Sequence, residues 1–303
     1  MYDIITLGSA SVDVLVKTKG EILKHGNHTD IAYHLGDKFL IDDLIFSTGG
    51  GGTNTAVAFS RLGLKTGFIG CIGHDANGEL IAKELRKENV EFLGKVKQGK
   101  TGYSIVLPGH SDRTILTFKG VNNNLEWSDL HLPLETKWLY ISTMLDQSLK
   151  TAEKLAFHAN QNKIKIALNL SRYLANHGLK KLSKLLNSAD ILILNKEEAA
   201  ILTDRVKIKQ MLELLASHTQ AIIVITDSSK PVYALKGKMI YIKKINSVKP
   251  VDKTGAGDAF AAGFVYGIMK NKDIPTSLNY GYKEALSTLK EIGAKNNLLR
   301  ELK

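Results

Sequence analysis

Residues 251–260 read Val251-Asp252-Lys253-Thr254-Gly255-Ala256-Gly257-Asp258-Ala259-Phe260, and no other stretch constrains the chain as tightly. Three small residues in a row let the backbone turn sharply and bring bare N–H groups close to a ligand. The run at 259–267 is small and apolar, which predicts the start of a buried helix. Free amides at a helix N-terminus, at the positive end of its dipole, make an anion site. Asp258 stands at its mouth. An anion cradle beside a carboxylate suits phosphoryl transfer, with the carboxylate deprotonating a hydroxyl and the amides stabilising the moving phosphoryl group. Taken alone, the stretch reads equally well as a tight connection with Asp258 as an ordinary helix-start residue.

A second segment shifts that balance. Ser47-Thr48-Gly49-Gly50-Gly51-Gly52-Thr53-Asn54 leads into an apolar-periodic run at 55–62, with Gly63 just past its end, which predicts a short helix. Four glycines remove side-chain bulk where a ligand must come close, although a lone glycine run is also what a flexible loop looks like. Asn54 offers donors and an acceptor that can bracket a hydroxyl.

Together, Gly49-Gly50-Gly51-Gly52-Thr53-Asn54 and Asp252-Lys253-Thr254-Gly255-Ala256-Gly257-Asp258 resemble the PfkB, or ribokinase-like, carbohydrate kinase family. The likeness runs over nearly the whole chain, through residues 67–73 with Asp75 and Gly78, Arg113-Thr114, residues 120–125 and Asn195-Lys196-Glu197-Glu198-Ala199. It implies one ribokinase-like kinase domain over 1–303, with inserted β lid segments at 14–48 and 101–118 that close over a sugar. It implies Asp258 as catalytic base and Gly255, Ala256 and Gly257 as the anion hole. Asp13, Gly50, Gly51 and Asn54 would bind the acceptor, and Thr226, Lys253 and Thr254 the nucleotide. Asn195 and Glu198 match the family's Asn-x-x-Glu motif, which acts on Mg2+ and phosphate through waters. ATP is then the co-substrate, a sugar or nucleoside the acceptor, and a homodimer through the lid the expected assembly.

The chain also departs from the family pattern. Lys253 replaces the usual Thr or Pro, Ser228-Ser229-Lys230-Pro231 replaces a Gly-x-x-Gly, and Glu284 falls where the family often has an adenine-side Asn. On the acceptor side, Ser11 replaces an Asn and Asn169-Leu170-Ser171 an Asp-x-Asn. A non-catalytic sugar- or nucleotide-binding protein on the same scaffold is therefore an alternative, which the retained Asp258 opposes. So is a sugar-phosphate kinase. The acceptor is expected to be neutral, because Asp13 repels an anion and Lys38 and Arg113 are offset by Asp37, Asp42, Asp43 and Asp112; Lys17, Lys19 and Lys119 are the cations that could reverse this.

The remaining features agree. Short apolar runs at 4–7, 66–72, 138–142, 164–168, 191–194 and 222–226 alternate with helical patterns such as 78–88, 148–161 and 179–187. That alternation predicts an α/β fold with a mostly parallel sheet sandwiched by helices, plus the small β lid. At 303 residues and 44% hydrophobic content the chain can bury a sizeable core. The net charge of +11 invites a nucleic-acid partner, but lysines interleave with acids and only 7% of residues are aromatic, so a solvated charged surface is the reading and no nucleic-acid partner is expected. A single cysteine, Cys71, excludes an internal disulfide and a cysteine zinc cluster. Neither Gly-rich run has dinucleotide-binding spacing, and no Gly-x-x-x-x-Gly-Lys-Ser/Thr occurs, which sets aside a Rossmann-type dehydrogenase and a P-loop kinase. With no signal peptide or spanning helix in the sequence, no membrane partner and a cytoplasmic location are expected.

Overall fold

A computed structural model describes residues 1–302 except Lys19, Asn27, His110, Ser111, Asp112 and Ser247, and omits the side chains of His25 and His28. The expectations that involve Lys19 and residues 110–112 therefore lie outside the described residues.

Among the described residues the main sheet has nine strands. From one edge they are Met239–Lys243, Lys230–Lys236, Ile222–Asp227, Ile191–Asn195, Lys165–Asn169, Thr136–Ile141, Tyr2–Leu7, Thr66–Ile69 and Val90–Phe92. The last seven run parallel, while Lys230–Lys236 and Met239–Lys243 are joined to them and to each other by antiparallel pairing. Parallel strands are covered on both faces, so they read as continuous apolar runs rather than alternating ones. Ile191, Leu192, Ile193 and Leu194 are all buried, as are Ile4, Ile5 and Leu7. Helices cover them with one apolar stripe each: Asp146–Gln161 buries Ser148, Thr151, Ala152, Leu155, Ala156 and Ala159, the three-and-four spacing of a single face.

All six expected strands form, and one divides. The run 66–72 breaks at Gly70, where a side chain would strike Phe68 and the Gly8 carbonyl. Cys71–Gly73 instead pairs with Lys95–Lys97 in a separate ribbon. Cys71 is fully buried, and burial pushes its thiol up to about 12, so it is inert packing.

A second sheet of four strands, in the order Arg113–Phe118, Gly102–Pro108, Ser11–Lys17 and Asp43–Gly49, stands apart from the main one. It contains both segments read as insertions. Its first strand begins at Ser11 rather than residue 14, so Asp13 belongs to this sheet. Its last strand ends at Gly49 and feeds straight into the glycine run. Within the first segment, Glu21–His25 and His28–Ala32 form a separate hairpin.

The main chain reverses direction across the sheet at Tyr2–Leu7: the next main-sheet strand lies on one side and Thr136–Ile141 on the other. Open α/β sheets bind ligands at the carboxyl ends of strands beside such a switch point. No described helix is long and apolar enough to cross a membrane.

Glu284, on the helix Ile274–Thr288, is fully buried. Its Oε2 accepts from the Leu299 N–H, 3.2 Å away, while its Oε1 has no partner. Burial is the main cause that lifts its carboxyl to about 7, against the bond from Leu299 and the charge of Arg61. A folded-state value above the unfolded one means that the folded protein holds the proton more tightly. This contribution to stability is therefore full at low pH and is lost as pH rises through about 7. Glu284→Gln, which mimics the protonated acid, is expected to unfold with a stability like that of the wild type near pH 4, below the unfolded value, and to exceed it at pH 8. The difference should be about 3 kcal/mol, read by urea titration at the two pH values.

Candidate active site

The cleft lies where the parallel strands end. Ser9, Ser142, Asn169, Asn195 and Thr226, each at or just past a strand terminus, line its wall. Its floor is the turn Gly255-Ala256-Gly257 and Asp258.

The helix Ala256–Met269 starts inside that turn, with Gly255 as its N-cap at φ 76°. The amides of the first turn of any helix lack a partner within that helix; here the Ala256 N–H donates to the Lys253 carbonyl at 3.4 Å, and Gly255, Gly257 and Asp258 line the cleft. Gly255 is required twice: its φ is left-handed, and a Cβ would collide with Ala294 of the C-terminal segment. Asp252 sets the turn. Its Oδ1 accepts from the Thr254 N–H and hydroxyl at 2.9 and 2.8 Å, and its Oδ2 accepts from the Gly293 N–H at 3.0 Å. Thr254 is thus committed to Asp252, whereas Thr226 and Lys253 line the cleft directly.

The glycine run does not stay a loop. The helix expected from residue 55 begins at Gly51 and runs to Arg61, with Gly50 as N-cap at φ 96° and Gly63 in a left-handed turn beyond its end. This earlier start puts Asn54 on the first turn, buried, with its Nδ2 donating to Asp258 Oδ2 at 2.8 Å. Asn54 Oδ1 is buried without a partner. Asn54 therefore joins the two motifs. Gly51 lines the cleft beside Asp258, while Gly50 packs against the Ser9 carbonyl. Asp13 lies next to Gly49, and its Oδ1 accepts from the Ser11 hydroxyl at 2.9 Å.

Burial is the largest cause that raises Asp258 to about 6; Asp13 adds to the rise, while the bond from Asn54 and the charge of Lys295 oppose it. Glu198 rises to about 7, again chiefly through burial and with Asp258 adding to it. Glu198 and Asn195 form a reciprocal cap at the start of the helix Lys196–Thr203: Asn195 Oδ1 accepts from the Glu198 N–H, and Glu198 Oε2 from the Asn195 N–H, both at 2.8 Å. The cap aims both residues into the cleft. Among the described residues no three His, Cys, Asp or Glu side chains cluster as a metal cage.

The cleft continues into a second cavity of about 440 Å³ walled by Val232, Ile245, Tyr282 and Leu286. The two cavities share Thr226, Lys253 and Gly257, so the anion turn stands at their junction. Ser228 and Ser229 form a tight turn on the rim of the second, Ser228 at φ 50° in place of a glycine. Glu284, expected on the adenine side, faces away: its neighbours Tyr282, Ala285 and Leu286 line the cavity instead.

Residues 28–300 match the profile of the pfkB family carbohydrate kinases. The chain belongs to that family. It is 31% identical over 265 residues to a ribokinase of Haemophilus influenzae, covering 82% of this chain and 83% of that one. It is 30% identical to an adenosine kinase of Saccharomyces cerevisiae, over 81% and 78% of the two chains. The fold matches that of an adenosine kinase from Sinorhizobium meliloti with a TM-score of 0.83 at 21% identity, over 99% and 97% of the chains. This PfkB protein is accordingly a phosphotransferase, a carbohydrate or nucleoside kinase.

Several residues gain a role at the site only in the structure. Asn122, buried, donates to the Ala10 carbonyl at 2.7 Å and accepts from the Ala10 N–H at 2.8 Å, fixing the crossover from the first strand into the second sheet. Tyr140 lies buried with its hydroxyl accepting from Asn169 Nδ2 at 2.9 Å. Burial, with Asp258 next, holds that phenol neutral. Arg113 reaches the cleft from the second sheet.

Gly255→Ala tests the turn. It should lower turnover by about 100-fold, the cost of displacing catalytic groups by about an ångström. A variant with wild-type turnover would show that the turn can be rebuilt without loss.

Proposed function

We propose that this PfkB kinase transfers the γ-phosphoryl group of ATP to a hydroxyl of a neutral sugar or nucleoside, with Asp258 as the base. The observation that carries this reading is the position of Asp258: one oxygen is held by Asn54, and the residue lines the cleft next to Gly257, which the cleft shares with the second cavity. The acceptor hydroxyl oxygen attacks the γ-phosphorus, its proton passes to Asp258, and the bond to the β–γ bridging oxygen breaks to release ADP. The amides of Gly255, Ala256 and Gly257 stabilise charge on the transferring group. Lys253, at the junction, suits the phosphate chain, and Thr254 acts through Asp252 to keep the turn in shape. The apolar second cavity suits the nucleoside end of ATP, with Thr226 at its polar edge.

On the acceptor side, Asp13 and the unpartnered Asn54 Oδ1 offer acceptors for sugar hydroxyls, with Gly50 and Gly51 supplying close backbone approach. The four-stranded sheet, which takes its strands chiefly from the segments 14–48 and 101–118, acts as the lid that excludes water.

Glu198 and Asn195 fit Mg2+: they supply oxygen donors at the cleft, and the lack of a three-carboxylate cage among the described residues suits an ion that keeps several waters. Bound there, the ion would neutralise charge on the β- and γ-phosphates. The reading finds a parallel in a putative ribokinase II from E. coli in complex with ATP and Mg2+, which shares this fold at a TM-score of 0.80 and 14% identity.

Arg113 in the cleft, and Lys119 close enough to Asp13 for their charges to interact, favour a second reading: an acceptor that carries an anionic group. Steady-state competition among ribose, adenosine, fructose and fructose 6-phosphate decides between them. A neutral acceptor is expected to be preferred; a specificity constant about tenfold higher for the phosphorylated sugar, roughly 1.4 kcal/mol, overturns that choice.

Exposed Phe46, Leu116 and Phe118 on the second sheet support a homodimer through this face, and sedimentation should give twice the chain mass. The location we propose is the cytoplasm.

Asp258→Asn keeps shape but cannot take a proton. Turnover is expected to fall by about two to four orders of magnitude with acceptor affinity nearly kept, and a variant that retains most of its turnover would remove Asp258 from the role. Glu198→Gln should raise the Mg2+ concentration that gives half-maximal rate; an unchanged titration would count against that assignment.

A further inference from the structure

One cation is buried deep beside the cleft and has no part in the chemistry above. Lys295 is 4% exposed. Its Nζ donates to Thr48 Oγ1 at 2.8 Å and to Glu84 Oε2 at 2.6 Å, and Thr48 also donates to Glu84. Its carbonyl accepts from Arg61 Nη1 at 2.7 Å, and Arg61 forms a two-pronged bond with Glu88 at 2.8 Å on both arms. A fully desolvated ammonium is costly unless it is paired and hydrogen-bonded, so a chain that keeps one there has a use for its charge or its reach.

The reach is clear. Thr48 precedes Gly49, and Gly49 lies so close under Asp13 that a Cβ there would collide with Asp13 Oδ2. On its other side, Ala294 packs on Gly255 and the Gly293 N–H bonds Asp252. The segment Gly293-Ala294-Lys295 therefore touches both the strand that leads from the second sheet into the glycine run and the turn that carries Asp258. Glu84 brings in a third element, the helix Ala76–Lys87.

We propose that Lys295 is a positioning residue: its buried ammonium, bolted to Thr48 and Glu84, ties the C-terminal segment to the glycine run and holds a fixed positive charge between the strand end under Asp13 and the turn that carries Asp258. Two carboxylates that sense each other repel, and protonation is the easy escape. A fixed cation keeps Asp258 ionised, the form a base requires. The charges support this: Lys295 lowers the Asp258 carboxyl while Asp13 raises it. Glu198 and Tyr140 are the other titratable groups that sense Asp258. Around Lys295 they are Glu84, Asp13 and Glu88, which oppose the downward push of burial on its ammonium.

The inference rests on Asp258 as base, and its test reads that carboxyl without acceptor or nucleotide. The full chain, labelled with 13C at aspartate carboxyls, is titrated by NMR, the Asp258 signal being the one absent from Asp258→Asn. A failed kinase assay and a failed titration are thus separate results. In Lys295→Met the Asp258 midpoint is expected to rise by at least about half a unit, the scale of a unit charge that acts across roughly 20 Å at the effective dielectric of a protein, so a closer charge would give more. If Lys295→Met does not fold, Lys295→Gln carries the same expectation. In Glu84→Gln, which keeps the ammonium and removes its counter-charge, the midpoint should stay at or below the wild-type value. A general loosening of the segment would move both variants alike, whereas a charge effect separates them. An unchanged midpoint in a folded Lys295 variant, or an equal rise in Glu84→Gln, overturns the proposal.

Discussion

One hydrogen bond, from Asn54 Nδ2 to Asp258 Oδ2, joins segments 204 residues apart and sets the geometry of the cleft. Each partner stands on the first turn of a helix whose start is dictated by glycine: Gly50 before one, Gly255 before the other. The bond needs both helices to begin where they do. A helix that started at residue 55 would leave Asn54 outside its first turn, and a turn without Gly255 could not pack under Ala294. The two helix starts meet at the side of the main sheet where its parallel strands end, the side that also holds Ser142, Asn169 and Asn195.

That arrangement conflicts with electrostatics. Asp258 and Glu198 are drawn out of water, and burial raises both above the ordinary carboxylate range. A base must nevertheless be ionised at working pH, and its strength is greatest when its pKa lies near that pH. A value of about 6 for Asp258 meets both demands, and it reflects a balance of burial and Asp13 against Asn54 and Lys295. The polar groups that keep this balance are spread over the second sheet, two helices and the C-terminal segment. The core that holds them is ordinary close-packed α/β structure, with its buried strands mostly apolar.

The parts of the site that show in the sequence are those where the backbone itself is under constraint. Gly255, Gly257, the glycine run and the carboxylate after the turn are visible because few residue types satisfy the geometry. The six strands show because burial on both faces forces continuous apolar runs. The start of the first helix was hidden by the same glycines, whose low helix propensity makes a first turn look like loop. The break at Gly70 was hidden because the apolar run continues through it. Lys295, Glu84 and Asn122 were invisible for a different reason. Their types are common and their partners lie far off in sequence: Lys295 is 211 residues from Glu84, and Asn122 is 112 from Ala10. Glu284 sits in the helix Ile274–Thr288, but its neighbours Ala285 and Leu286 line the cavity while its own carboxyl bonds to the Leu299 N–H, a matter of one helical position.

The account turns on Asp258 working as an ionised base whose proton affinity is set by its surroundings. The most direct measurement is the pH dependence of the rate of phosphoryl transfer with ATP and acceptor both well below saturation, which reports the proton affinity of the unliganded enzyme. A raised carboxyl loses its charge as pH falls, so the rate should be level above pH 7 and decline on the acid side with a midpoint near 6. A rate that holds constant from pH 7 down to 5 would contradict the account, because no base with the proton affinity of this carboxyl could then be taking the proton.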